Sequence, residues 1–205
     1  MKQVMTCHCG KEIEFDVPDS FNIADEPRLI EEIIDGSFME LECESCGAKL
    51  RPDIPLLFER ISTTEGKIRL RYIPEPQRTR YLGSKLSEDD VERWAIGYEE
   101  LREKFLIFSH QLDDRLIEFI KFLLLEKAES AENVRIVLAE IEEDHYTFYI
   151  HGLREQEVGI SKIPRSLYQK VLASLTERMQ NEVYSQIAEP PYVSINKISL
   201  EEEDL

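Results

Sequence analysis

The sequence predicts an α+β protein, and three observations carry that prediction. Polar and apolar residues alternate in three runs within residues 12–73, the period-two signature of half-buried strands. In the middle, apolar residues recur at helical spacing. Four cysteines stand as two close pairs, Cys7 with Cys9 and Cys43 with Cys46. The expected architecture is a small antiparallel domain over residues 1–80, with a helix inserted between the cysteine pairs. Residues 81–205 are expected to form helices packed on a short antiparallel sheet.

The elements follow in order. Glu12-Ile13-Glu14-Phe15-Asp16-Val17 alternates cleanly and is broken by Pro18-Asp19-Ser20. Residues 26–36 read as a short helix, with Pro27 in its first turn, acids crowding its N-terminal half and Gly36 at its C-terminal cap. Phe38-Met39-Glu40-Leu41-Glu42-Cys43 alternates again, which puts Cys43 at a strand end. The alternation of residues 67–73 places Ile68, Leu70 and Tyr72 on one face. Pro74 and Pro76 mark the first natural boundary, because proline removes ladder donors and fixes extended geometry.

Beyond the boundary, Ser87 and Asp90 resemble a capping box, and Val91, Trp94, Ala95, Tyr98, Leu101 and Phe105 follow helical spacing. A second helix is expected from Asp113-Asp114, burying Leu116, Ile117, Ile120, Leu123 and Leu124. Strands are expected at 134–141, 145–150 and 157–160. A third helical pattern runs over residues 164–188, with Leu167, Val171, Leu172, Leu175 and Met179 on one side, until Pro190-Pro191 ends it.

Composition narrows the function classes. The 205 residues are 42% hydrophobic and 33% charged, a soluble globular balance rather than a disordered one. The net charge of −17 repels nucleic-acid backbones and anionic lipid heads unless a local basic face intervenes. Only residues 49–80 are basic, with 8 basic and 4 acidic residues. The longest apolar runs are four residues, far below the roughly 18 that span a bilayer. With no secretory pattern at the N-terminus, a cytoplasmic location is expected, where thiols stay reduced and serve as metal ligands rather than disulfides.

The cysteine spacing supports that chemistry. Cys7-His8-Cys9 is a C-x-C pair and Cys43-Glu44-Ser45-Cys46 a C-x2-C pair, each followed directly by glycine. Tetrahedral zinc takes four thiolates, and a sharp turn brings two of them to one ion. Glycine after the second cysteine accepts the positive φ of such a turn and lets backbone N–H groups reach sulfur. A structural Zn²⁺ site of Cys7, Cys9, Cys43 and Cys46, with zinc-ribbon logic, is the resulting expectation. A C-x-C pair cannot form the same loop as C-x2-C. Free thiols, a redox pair and His8 as a fifth or substitute ligand are the competing readings.

Several separated motifs resemble one family. Thr6-Cys7-His8-Cys9-Gly10, Phe21-Asn22-Ile23-Ala24-Asp25-Glu26-Pro27, Cys43-Glu44-Ser45-Cys46-Gly47, Ile54-Pro55-Leu56-Leu57-Phe58 and residues 100–118 are similar to the bacterial CpXC domain. That resemblance implies a metal-binding, zinc-ribbon-like module and supplies no reaction. The family is named for two C-P-x-C pairs; here the first pair lacks the proline and one residue, and Glu44 stands where the second proline is expected. The cysteine spacing alone also resembles the zinc centre of redox-switched holdase chaperones, in which oxidation expels zinc.

Other constellations are weaker. Lys67, Arg69 and Arg71 share a strand face near Arg78 and Arg80, a strip that reads as a solvated face balancing an acidic protein. Asp113, Asp114, Arg115 and Glu118 would matter catalytically only if they lined one cleft. No P-loop, dinucleotide fingerprint, metalloprotease motif or nucleophile elbow is present. The sequence therefore leads to a non-enzymatic binding or scaffold protein with a protein partner, no nucleic acid and no membrane. A thiol redox switch is the alternative.

Overall fold

The computed structural model of the protein describes residues 1–82, 91–127, 134–154, 156–175 and 180–197. It opens with a hairpin of β1 (Lys2–Thr6) and β2 (Glu12–Asp16), paired from Lys2 opposite Asp16 to Thr6 opposite Glu12. The turn of this hairpin carries Cys7 and Cys9. A second hairpin, β4 (Leu41–Glu42) with β5 (Lys49–Leu50), carries Cys43 and Cys46. Between the two lies the inserted helix, α1 (Arg28–Asp35), which begins after Pro27 and is capped by Gly36. The strand expected over residues 38–43 is only two residues long. Glu40 N–H donates to Ser37 O at 3.0 Å, and Met39 sits at φ 54°, so the chain is still turning where the alternation predicted extension.

A four-stranded sheet runs in the order β3 (Phe21–Asn22), β6 (Leu56–Thr63), β7 (Gly66–Ile73), β8 (Glu92–Ile96). Only β6 and β7 are antiparallel; β3 lies parallel to β6, and β8 parallel to β7. The expected purely antiparallel pairing is thus corrected. The reason lies in the connections, which are long enough to return the chain in the same direction.

Strand β8 also corrects the helix expected from Val91. Residues 92–96 are extended and buried on both faces, while Val91 is exposed. A strand buried on both faces shows no alternation to tell it from a helix, and here tertiary pairing decides. Arg69 to Ile73 flank β8 on one side, and Trp94 N–H donates to Pro191 O at 2.8 Å on the other. The helix starts after Gly97, as α3 (Tyr98–Ser109). Ser87 and Asp90 lie outside the described residues.

Between β7 and β8 a short α2 (Arg78–Leu82) follows a single turn of 3₁₀ helix. Beyond α3 come α4 (Asp114–Lys127) and an antiparallel meander of β9 (Arg135–Ile141), β10 (His145–Arg154) and β11 (Glu157–Pro164). The 164–188 pattern is divided into α5 (Arg165–Ala173) and α6 (Glu182–Ala188). Asn181 explains the second start, since its side chain accepts Tyr184 N–H at 3.1 Å as an N-cap. Leu172, expected in the stripe, is exposed, and Met179 lies outside the described residues.

The β6–β7 sheet face is filled by aromatic rings from separate elements. Phe21 meets Phe38 and Phe58 with centroids 5.3 Å apart in both cases, and Phe58 meets Phe105 of α3 edge-on at 5.1 Å. One apolar cluster takes in Phe58 and Leu70 together with Leu116, Leu138 and Phe148, so the core runs continuously past residue 80.

Charges are buried in this core. Lys121 Nζ donates to Glu103 Oε2 at 2.9 Å and Glu118 Oε1 at 2.8 Å. The remaining carboxylate oxygens accept Leu138 N–H and Ile195 N–H. Lys104 Nζ donates to Asp114 Oδ2 at 2.7 Å and Val193 O at 2.9 Å, with Arg93 Nε 3.3 Å from the same carboxylate oxygen. Burial pushes the Asp114 carboxyl up, but Lys104 and Arg93 pull it further down, below the ordinary aspartate value. Its contribution to stability is therefore present above about pH 4 and lost as pH falls through the depressed native value. Asp114→Asn should cost about 3–5 kcal/mol in urea unfolding at pH 6, because it leaves two buried cations short of a partner. The gap from wild type should narrow towards pH 3; a gap independent of pH would refute the assignment.

Candidate metal centre

The two hairpin turns are built alike. In the first, Cys7 N–H donates to Lys11 O at 2.8 Å and Gly10 N–H returns to Cys7 O at 2.8 Å. In the second, Cys43 N–H donates to Ala48 O at 2.9 Å and Gly47 N–H to Cys43 O at 2.8 Å. The second turn holds one residue more but closes with the same pair of bonds. Gly10 at φ 87° and Gly47 at φ 71° supply the left-handed step in each. The shortened C-x-C pair thus makes its own tight turn.

The turns face one another. All four sulfurs lie within 4.8 Å of one another. The closest contacts cross between turns, Cys7 to Cys46 at 3.6 Å and Cys9 to Cys43 at 3.7 Å. Four thiolates around one ion at the usual zinc–sulfur distance would stand about 3.8 Å apart along the tetrahedral edge. The quartet fits a single metal ion in its spacing. Cys7 and Cys43 are buried, Cys9 and Cys46 exposed, so the site has an inner and an outer pair. His8 is exposed, its Nδ1 3.7 Å from Cys7 Sγ, and it is not one of the four clustered ligands.

The electrostatics match. The Lys11 backbone N–H, with Cys7 next, draws the Cys9 thiol down to about 6. At Cys46 the Ala48 N–H also pulls downward, but lost hydration and the three neighbouring thiols outweigh it and push the group up to about 12. Cys9 is thus drawn toward the thiolate while Cys7 and Cys46 resist losing their protons, the behaviour of like charges crowded together. A divalent cation at the centre removes that resistance.

Arg51, which follows β5, ties the second turn to the helices and was not singled out in the sequence. It stacks 3.7 Å over the Tyr98 ring, and its Nε donates to Phe38 O at 3.0 Å. A further guanidinium nitrogen donates to Gly36 O. Tyr98 OH donates to Ile33 O at 3.0 Å and Arg102 Nε to Ile34 O at 2.6 Å. Two of the last carbonyls of α1 are thereby satisfied from α3, and the carbonyl of its capping Gly36 from Arg51.

The remaining sequence candidates do not assemble into a second centre. Asp113 caps α4 by accepting Arg115 N–H at 2.9 Å, while Asp114 and Glu118 face different buried lysines. In the basic strip, Arg71 Nε pairs with Glu92 at 2.9 Å, and Arg78 is engaged by Glu75, Glu100 and Tyr192. Glu142 and His145 close a turn, Glu142 N–H donating to His145 O at 3.0 Å. Among the described residues the cysteines are the one group of three or more side chains placed to hold a metal ion. No helix among them is long and apolar enough to cross a membrane.

An uncharacterized protein of Treponema pallidum (strain Nichols) is 23% identical over 189 residues, spanning 82% of this chain and 85% of that protein. No solved structure matches the chain significantly. The family described as CpXC protein matches residues 5–121, which include both cysteine turns, the four-stranded sheet, α3 and half of α4. More than half of the chain lies in that match, and the chain belongs to the CpXC family.

Proposed function

We propose that this is a non-catalytic binding or scaffold protein of the cytoplasm, with a zinc-ribbon-like N-terminal part closed by one structural Zn²⁺ on Cys7, Cys9, Cys43 and Cys46. The observation that carries the reading is the crossed sulfur spacing of 3.6 and 3.7 Å between two turns of matching construction. Four thiolates in a tetrahedron suit zinc, and they leave no open position for a reactive water. The complex would carry −2, offset by backbone N–H groups such as those of Lys11 and Ala48. A protein partner fits better than nucleic acid, because the chain is at −17 and the Arg71 and Arg78 guanidiniums are occupied by carboxylates.

Exposure of Cys9 and Cys46 favours a second reading, a peroxide-sensitive thiol switch. In that chemistry each pair of thiolates, with two protons, reduces one hydrogen peroxide to two waters as a sulfur–sulfur bond forms and zinc leaves.

Protein purified under reducing conditions should contain one zinc per chain by elemental analysis, and less than about 0.3 would reject the site. Cys43→Ser should lose that metal and about 3 kcal/mol of stability, lowering the melting temperature by about 6–12 °C. Mild peroxide separates the two readings. A structural site keeps its zinc and thiol counts unchanged, whereas a switch loses both and exposes apolar surface.

A further inference from the structure

We propose that the cavity bordered by α2, the start of α3, α4 and β9 binds a small uncharged polyhydroxyl molecule, a monosaccharide or cyclitol, through Lys121 and Asn196. The cavity has a volume of about 220 Å³. Drug-sized sites begin at roughly 300 Å³, so this one suits a single ring rather than a nucleotide. Its lining is graded in exposure. Lys121 and Glu103 are deeply buried, with 3% and 4% of their side-chain surface exposed, whereas Arg135 and Glu99 stand in solvent at 56% and 40%.

The charges of the lining argue against an ionic ligand. Arg135 pairs with Glu99 at 2.9 Å, and Arg78 with Glu75 and Glu100. Lys121 pairs with Glu103 at 2.9 Å and, behind it, with Glu118 at 2.8 Å. Each cation thus has at least one carboxylate, and carboxylates outnumber cations. An anion finds no unpaired cation here and meets an excess of negative charge. A ligand cation at the closed end would stand beside the Lys121 ammonium, and drawing a carboxylate away from it would leave a buried charge uncompensated.

What the network leaves over is neutral hydrogen-bonding capacity. An ammonium has three N–H bonds, and among the described residues Lys121 uses two, on Glu103 and Glu118. The third is a buried donor on a side chain that lines the cavity. Because that ammonium already faces two carboxylates, a hydroxyl oxygen is a better third acceptor than another anion. Asn196 Nδ2 donates to Glu100 Oε1 at 3.0 Å, which leaves its Oδ1 as an acceptor on the same cavity. Glu118, which holds Lys121, also accepts Ile195 N–H at 2.8 Å, so both anchors are tied to one carboxylate. Hydroxyl groups donate and accept, so one polyol can satisfy the lysine and the asparagine together. Ile96, Ile136 and Val137 supply apolar wall for the C–H face of a ring.

Titration of the full chain with D-glucose, D-galactose, D-ribose and myo-inositol, followed by backbone amide NMR shifts, tests this. At least one should bind saturably with Kd below about 10 mM, moving the Gly97, Val137 and Asn196 amides. Asn196→Ala, which removes the spare acceptor, should weaken that polyol about tenfold. Val137→Phe, which narrows the cavity without changing a polar group, should abolish binding. Putrescine and acetate, as charged probes, should not bind there. The proposal is overturned if no polyol saturates, as for a cavity that holds only water, or if the shifts fall outside the cavity. It is overturned equally if Asn196→Ala binds as tightly as wild type, or if putrescine or acetate matches the best polyol. The wild-type shifts decide the case should a variant not fold, and zinc content, measured on every form, reads a failure of the metal centre separately.

Discussion

Four sulfur atoms must share one small volume, and the N-terminal third of the protein is arranged around that requirement. Neither hairpin can stand alone. Strands β4 and β5 have two residues each, and two-stranded hairpins of any length are marginal in water. Their closest sulfur contacts join residues 34 and 39 positions apart, so a shared ligand would close a long loop that local hydrogen bonding cannot close. From there the constraint passes inward through covalent neighbours. Arg51 follows β5 directly and reaches both the end of α1 and the Tyr98 ring at the start of α3. The position of the second turn and the docking of α1 on α3 are thereby one geometrical problem.

Much of this was legible in the residues, and the exceptions have physical causes. The cysteine pairs with their following glycines, the alternation in β2 and β7, and the stripe of α4 encode local chemistry. Local patterns expose local structure. Strand β8 was hidden because burial on both faces erases the period-two signal, leaving Trp94 and Ala95 at a spacing that a helix also satisfies. The short β4 was hidden because nothing in Phe38-Met39-Glu40 announces a left-handed residue; Met39 takes φ 54° within a turn set by its surroundings. The side-chain bonds that close the end of α1 were invisible for a different reason. Their donors, Arg51, Tyr98 and Arg102, lie in distant elements, and side chain-to-carbonyl bonds of that kind leave no trace in sequence spacing.

Charge shows the same divide. The total of −17 and the basic stretch of residues 49–80 are plain in the composition, and a basic strip beside a metal centre invites a phosphate reading. What composition does not show is which charges are already spent. Glu92 takes Arg71, and Glu75 with Glu100 takes Arg78. Conversely, residues that look like a solvated helix face supply the core's ion network. Glu103 and Lys104 are neighbours on α3, yet they face separate buried partners, Lys121 and Asp114. Buried ions add little net stability against apolar replacements, but each leaves a large penalty if its partner is misplaced. Such pairs therefore fix how α3 and α4 register against each other more strongly than an apolar seam of equal area would.

Helix α3 is consequently the element on which the two ends of the molecule meet. Its first residue, Tyr98, stands under Arg51 and bonds to the end of α1. Two turns later Lys104 grips Asp114, whose other cation is Arg93. A twelve-residue helix is stiff over such a distance, about 9 Å between those positions along its axis. Closure of the cysteine turns and the placement of the Arg93 guanidinium are therefore set by one rigid body rather than by independent loops. That economy explains why a protein with so small a sheet tolerates buried charged side chains such as Glu103 and Lys104: the helix that carries these two is itself clamped at its start.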